Sequence, residues 1–273
     1  MRVRRVAILI DGGFFLKRLP KVVPAHQCDR PERIAAAIRR LCRGHIKLLT
    51  GRNDQRWLDH VHRIFYYDAI PYDGKAHHPM DDRPIDFART EVAKARHALF
   101  EVLRKQRKLA LRLGKVSRER DWAISPSLTK KLLRTRRWVA ALERLGVVDE
   151  AEPAALELMP AERRSLVELR DLWHSLDGDA VTLGLKQKGV DMRIGLDIST
   201  LTLKKQADTI VLVAGDSDFV PAAKLARREG MEFVLDPLWQ KINADLFEHI
   251  DGLQSGLPRP GGGGAADGLE GEG

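Results

Sequence analysis

The stretch Thr209-Ile210-Val211-Leu212-Val213-Ala214-Gly215-Asp216-Ser217-Asp218-Phe219 decides how this chain is read. The run from Ile210 to Ala214 is apolar, rich in β-branched residues and too short for a helix, so it predicts a strand buried on both faces, as in parallel sheets. Phe219 to Glu229 predicts a helix, with Pro221 in its first turn, Arg227 and Arg228 in its last, and Gly230 closing it. A further strand, Met231 to Leu235, follows. Asp216 and Asp218 therefore stand where strand gives way to helix, at the carboxyl edge where open α/β sheets bind ligands. Two carboxylates there can share a hard divalent cation such as Mg²⁺ or Mn²⁺.

The amino-terminal region repeats the pattern. Val3 to Ile10 predicts a strand, Pro31 to Leu41 a helix and Val61 to Tyr67 a second strand, and such alternation points to a parallel α/β sheet. Asp11 follows the first strand, with Gly12 and Gly13 leaving room beside its carboxylate. The first strand of a doubly wound sheet is central, which would set Asp11 beside Asp216. Lys188-Gly189-Val190-Asp191 opens a helix running to about Lys205, and Asp191 reads two ways: as an ordinary N-cap or as a fourth acid at the edge. Asp197 falls on another face of that helix, and the Asp236-Pro237 turn accounts for Asp236 as well as any site role does.

Between these regions the texture changes. Residues 73–179 read as a mainly helical basic insertion, with helices Ile85 to Arg107, Ser127 to Leu145 and Ala161 to Leu176. The core is then divided into residues 1–72 and 180–251, and residues 252–273 form a Gly-rich tail expected to be disordered. Leu109 to Val116 and Ala180 to Lys186 alternate polar and apolar and are expected to pair as a small ribbon flanking the site. Cations are dense at Arg104 to Lys108, at Arg112, Lys115, Arg118 and Arg120, and from Lys130 to Arg137 beside Trp138. Such residues track a phosphate backbone, and an exposed Trp stacks on a base; solvated helix faces with Trp122 and Trp138 turned inward explain them equally.

Composition limits the partners. The chain has 273 residues and a formal net charge of +9, a field that favours polyanions. Its two cysteines, Cys28 and Cys42, make neither a disulfide framework nor a zinc spacing, and His60, His62, His77 and His78 lack partner ligands at useful spacing. Gly12-Gly13 is not followed by the Gly-Lys-Ser/Thr of a phosphate-binding loop. The first apolar run is too short for a signal-peptide core and no eighteen-residue apolar span exists, so a soluble, cytoplasmic protein without membrane contact is expected.

Taken in order, Val6-Ala7-Ile8-Leu9-Ile10-Asp11-Gly12-Gly13-Phe14, Lys188-Gly189-Val190-Asp191 and Val211 to Phe219 with Pro221 resemble the NYN domain, a family that includes LabA-like proteins and belongs to the PIN-like nucleases. The resemblance covers the first strand and most of residues 187–238, not the middle insertion. It implies a PIN-like three-layer α/β fold around a central, mainly parallel sheet, and an acidic Mg²⁺- or Mn²⁺-dependent site for RNA hydrolysis. Carried over by motif, the catalytic and metal-holding acids are Asp11, Asp191, Asp216 and Asp218; the resemblance also admits a homodimer. Lys188 reads as a phosphate contact or as a solvated turn lysine and Ser217 as orienting a water or as starting a helix, with Arg112 and Lys115 among the cations expected near the substrate. Where the family often has Asn shortly after the first aspartate, this chain has Gly13-Phe14-Phe15. Ribonuclease is the reading these features favour. A catalytically idle metal- and RNA-binding regulatory module is the alternative, while a phosphatase would need an Asp-x-Asp pair on the first strand and a transferase a nucleotide-sugar pocket.

Overall fold

Val6 to Ile10 are wholly buried, and no polar side chain interrupts them, so strand β1 (Val6–Asp11) is covered on both faces. In the computed structural model, which describes residues 4–51, 55–140 and 157–260, β1 lies inside a seven-stranded sheet. The remaining strands are β2 (Val61–Ile70), β3 (Lys75–His77), β4 (Pro84–Asp86), β5 (Leu109–Ile124), β6 (Val181–Lys188), β7 (Thr209–Val213), β8 (Glu232–Asp236) and β9 (Gly252–Leu253). The sheet order is β6-β5-β2-β1-β7-β8-β9, and β3 pairs antiparallel with β4 by themselves. β1 pairs in parallel with β2 and with β7, so Ile10 stands opposite both Tyr66 and Val213, and Asp11 opposite Tyr67. The acid-bearing ends of β1 and β7 are thus neighbours, as the doubly wound reading expects.

The chain divides into two compact units. The first comprises residues 1–74, 87–117 and 187–273; the second comprises residues 75–86 and 118–186. In the first, the α2 helix (Pro31–Thr50) has Pro31 in its opening turn and ends at Gly51 in the left-handed conformation, φ 68°. Its buried positions Ala35, Ile38, Leu41, Cys42, His45 and Ile46 recur every three or four residues and so form one stripe. That stripe joins Phe15 of α1 (Gly12–Arg18) and Phe100 of α3 (Glu91–Arg104) in a core on one sheet face. On the other face, Ile194 and Ile198 of the Val190–Leu203 helix and Ala223 of the Val220–Arg228 helix pack with Leu9, Leu212 and Phe233.

Several expected elements differ. Residues 109–116 and 180–186 do not form a detached ribbon: they belong to β5 and β6, neighbouring strands of the main sheet, with β5 running parallel to β2 from Ile64↔Leu109 to Ile70↔Lys115. Alternation marks a half-buried strand, and an edge of a sheet satisfies it as well as a ribbon does. The helix expected at Ile85 begins at Glu91, capped by Thr90, and packs in the first unit. Residues 252–260, expected as the start of a tail, are ordered into β9 and a buried Leu257, whose carbonyl accepts from Trp239 Nε1 at 3.1 Å. The rest of the expected tail, 261–273, and the end of the helix expected to reach Leu145 lie outside the described residues. The second unit holds the β3–β4 hairpin and the helices Pro126–Arg134 and Pro160–His174, where the Ser165 hydroxyl donates to the Thr135 carbonyl. Trp122 lies edge-on to buried His78 at 5.2 Å between ring centroids, so it is turned onto a neighbour rather than free for a base. No helix among the described residues is long and apolar enough to cross a membrane.

Candidate acidic site at the sheet edge

Asp11 is half-buried at the end of β1, and its Oδ1 accepts from the Phe14 N–H at 3.1 Å, which starts α1 directly at the sheet edge. The sharp departure requires Gly12: a Cβ there would come within 2.5 Å of the Tyr67 carbonyl oxygen and 2.7 Å of the Tyr66 ring. Beyond β7 the exposed Asp216 makes the same kind of turn, its Oδ1 accepting from the Asp218 N–H at 3.0 Å, while buried Phe219 anchors the short turn Ser217–Phe219. Asp191 does not cap its helix. That position falls to Gly189 at φ 74°, and Asp191 is exposed within the first turn.

Asp191 links these carboxylates: its charge acts on Asp11, and Asp216 and Asp218 act on it. Burial is the largest cause raising the Asp11 carboxyl to about 6; the Phe14 N–H bond opposes it, and the charge on Asp191 adds to it. Asp191 is raised as well, first by partial desolvation although its side chain reaches solvent, then by Asp216 and Asp218. Acids from three separate segments therefore share a field at the carboxyl edge. None of the four is ion-paired with Lys or Arg among the described residues.

Other expected residues are placed differently. Lys188 is exposed at the end of β6 and Ser217 is half-buried beside Asp216. Lys115 is exposed on β5 opposite Ile70. Arg112, expected to meet substrate, instead makes a two-pronged bond to Asp197, Nε to Oδ2 and Nη2 to Oδ1, both 2.8 Å. Tyr67 also donates its hydroxyl to Asp197 Oδ2 at 2.8 Å, so Asp197 clamps the helix to β2 and β5 and takes no part in the acid group. Asp236 is wholly buried against His45, Nε2 to Oδ2 2.7 Å, and accepts from the Leu238 and Gly256 N–H groups. Lys108 Nζ, one of the expected cations, donates to the Leu58 and Val61 carbonyls.

Two neighbours escaped the sequence reading. Asp68, 3 % exposed on β2, pairs with Arg96 and accepts from the Ala69 N–H at 2.8 Å; burial raises its carboxyl, and its charge contributes to the rise at Asp11. The strand continues past Tyr67 to Ile70, and following the apolar pattern through Ala69 and Ile70 would have carried the strand across Asp68. Gln187 lies at the edge too, for a Cβ at Gly13 would be 3.4 Å from Asp11 Oδ1 and 3.6 Å from Gln187 Oε1. A groove of about 400 Å³ adjoins the acids, lined by Asp191, Met192, Gly195, Asp218, Phe219 and Ala222 among others.

The family model of the NYN domain matches residues 159–249, the span that holds Asp191, Asp216 and Asp218. That third of the chain is similar to the NYN domain. The seven-stranded, mostly parallel sheet flanked by helices is consistent with the PIN-like fold that the resemblance implies. A solved structure, a protein of unknown function from Vibrio parahaemolyticus, is similar at 12% identity and a TM-score of 0.37, over 93% of this chain and 94% of that one. No curated protein matches significantly. The NYN match stops short of β1, so Asp11 joins the group through the β1–β7 pairing.

As placed, no three His, Cys, Asp or Glu side chains among the described residues close into a cation cage. The chemistry of the NYN acids nevertheless fits a hard divalent cation: hard-oxygen donors, mutual repulsion, and no Lys or Arg neutralising them among the described residues. Phe14, where the family often has Asn nearby, lies over the β7 turn, its Cε2 2.5 Å from where a Gly215 Cβ would stand. An apolar ring thus fills that spot.

Proposed function

We propose that this NYN-domain protein is a Mg²⁺- or Mn²⁺-dependent ribonuclease that hydrolyses RNA phosphodiester bonds at Asp11, Asp191, Asp216 and Asp218. The observation carrying this reading is that carboxylates from three segments of the chain, one from β1, one from the Val190–Leu203 helix and two following β7, raise or are raised by one another at one sheet edge. Asp11 and Asp216 would hold the cation most directly, with Asp191 and Asp218 bonding to it or to waters around it. When bound, the cation supplies relief of phosphate charge and a water acidic enough to attack at neutral pH. The protein's own contribution is placement. The Phe14 and Asp218 N–H bonds fix the Asp11 and Asp216 carboxylates in orientation, so little reorganisation is needed when charge arrives. Ser217 would orient a water between them, and Lys188 and Lys115 would meet phosphates on either side.

RNA as partner is supported by the net charge of +9 and by the exposed Lys130, Lys131, Arg134, Arg136 and Arg137 of the second unit. The other reading, a metal- and RNA-binding module without turnover, is favoured by Phe14, an apolar ring close to the family's usual Asn position, which lies against Gly215. Incubating wild type and Asp216→Asn with mixed RNA in Mn²⁺, Mg²⁺ or chelator separates the two. Metal-dependent fragments with 5′-phosphate and 3′-hydroxyl ends, lost in Asp216→Asn, support hydrolysis. Metal-dependent binding without fragments supports the idle module, and undiminished cleavage by the variant removes these acids from the mechanism.

A further inference from the structure

The groove beside the acids has an unusual floor. It runs along the first turns of the Val190–Leu203 helix and the start of the Val220–Arg228 helix, and its lining shares Asp191 and Asp218 with the acidic site. At its base is Gly195, inside a helix with ordinary helical backbone, where an added Cβ would meet nothing within 4 Å. Neither close packing nor a left-handed backbone calls for glycine there, although glycine in a helix interior costs about 1 kcal/mol relative to alanine. Its missing side chain leaves bare backbone in the groove lining. Met192 stands at one wall, 72% exposed, a flexible apolar side chain held in water one residue from Asp191. Phe219, Pro221 and Ala222 add apolar lining, and Asp191, Asp218 and Ser199 its polar part.

We propose that this groove is a base-binding slot, taking one unstacked nucleobase of the RNA strand whose phosphate sits at the acids. The inference rests on the nuclease reading above and names what it leaves open, the contact that selects the nucleotide. A volume of about 400 Å³ suits one nucleoside, not a base pair. The apolar part of the lining accepts the face of any base, while the oxygens of Asp191 and Asp218 that a cation leaves free accept hydrogen bonds and donate none, which favours bases presenting an exocyclic amine. A single-base slot requires the strand to be splayed at that nucleotide, so the substrate is single-stranded at the cut.

The slot is tested with Gly195→Phe, which fills it, and Met192→Ser, which removes its wall without touching the core. Binding of a 2′-O-methyl oligonucleotide is compared with binding of the same backbone carrying abasic residues, by fluorescence anisotropy, alongside cleavage of unmodified RNA with end mapping. The expected result is that wild type prefers the base-bearing strand about tenfold and that both variants lose most of this preference while melting at unchanged temperature. End mapping should show a base preference in wild type that relaxes in the variants. Equal affinity of wild type for both strands, or an undiminished preference in the folded variants, overturns the slot while leaving metal-dependent cleavage standing. Absence of cleavage by wild type overturns the nuclease reading, and the abasic comparison still decides the slot. Should Gly195→Phe fail to fold, Met192→Ser, altered only at an exposed position, carries the same comparison.

Discussion

Two groups of aspartates lie in the same unit and behave in opposite ways. Asp68, Asp197 and Asp236 are each matched to a cationic or imidazole partner: Arg96, Arg112 and His45. Asp11, Asp191, Asp216 and Asp218 have no such partner among the described residues, and at Asp11 and Asp191 burial first, then neighbouring carboxylates, raises the carboxyl. Asp216 and Asp236 show the contrast most clearly, since each follows a strand of the same sheet, one exposed and one with no accessible surface. Place at a strand end is therefore not enough to mark a site. What separates the groups is whether the protein has already neutralised the charge: the first group holds helices and loops together, and the second has no Lys or Arg partner among the described residues.

The largest expected effect breaks the contrast at its functional end. Asp11→Asn and Asp216→Asn should each lower metal-dependent RNA cleavage by at least about 100-fold, measured as single-turnover rates, whereas Asp236→Asn should keep its cleavage at a temperature where it is folded. Loss of cleavage in folded Asp236→Asn would erase the division between the groups. Stability should move the other way. Asp236→Ala leaves buried His45 and the Leu238 and Gly256 N–H groups without their acceptor, and a loss of about 3 kcal/mol is expected in urea unfolding. A change under about 0.5 kcal/mol would show that the buried pair holds nothing.

Asp11 should respond to pH with a definite sign. Its carboxyl is raised to about 6 in the fold, against about 4 in an unfolded chain, so the folded state keeps its proton longer. The resulting stabilisation is fully present below about pH 4 and is lost as pH rises through about 6. Asp11→Asn keeps an acceptor for the Phe14 N–H but cannot ionise, so without metal it should exceed wild type by about 1–3 kcal/mol at pH 8, the gap closing below pH 4. Melting curves across that range check it; a constant gap would mean that burial and its neighbours do not raise this carboxyl. Millimolar Mn²⁺ should raise the wild-type melting temperature and leave Asp11→Asn unmoved, by linkage to a site only wild type possesses. The smallest effect is expected at Arg112→Ala, about 1 kcal/mol, since its partly exposed bond to Asp197 is screened by water. Cleavage falling with that variant while stability holds would return Arg112 to the substrate.

Much of this was legible from local pattern. The unbroken apolar runs at Val6 and Ile210 can only be strands covered on both sides, and Gly, Pro and basic residues mark the ends of the helices between them. Pairing order was not legible. Leu109 to Val116 alternates in any half-exposed strand, so nothing local says that its strand, besides neighbouring the β6 that holds Val181 to Lys186, also extends β2 in parallel. Side-chain partners were hidden for the same reason: Arg112 looks like every other cation of its stretch, and only packing brings Asp197, 85 residues on, within 2.8 Å. Asp68 was concealed because a buried acid interrupts the apolar pattern that would otherwise have carried the strand past it.

The identity and order of the elements, and the presence of carboxylates just beyond two strands, follow from residue types and spacing, because hydrophobic periodicity and backbone preference act over a few residues. Which of the carboxylates stay unpaired, which are locked to Arg or His, and which helix glycine lines a groove follow from contacts between segments far apart in the chain. Charge and burial are properties of an environment, and that environment exists only once β1, β7 and the Val190–Leu203 helix have packed together.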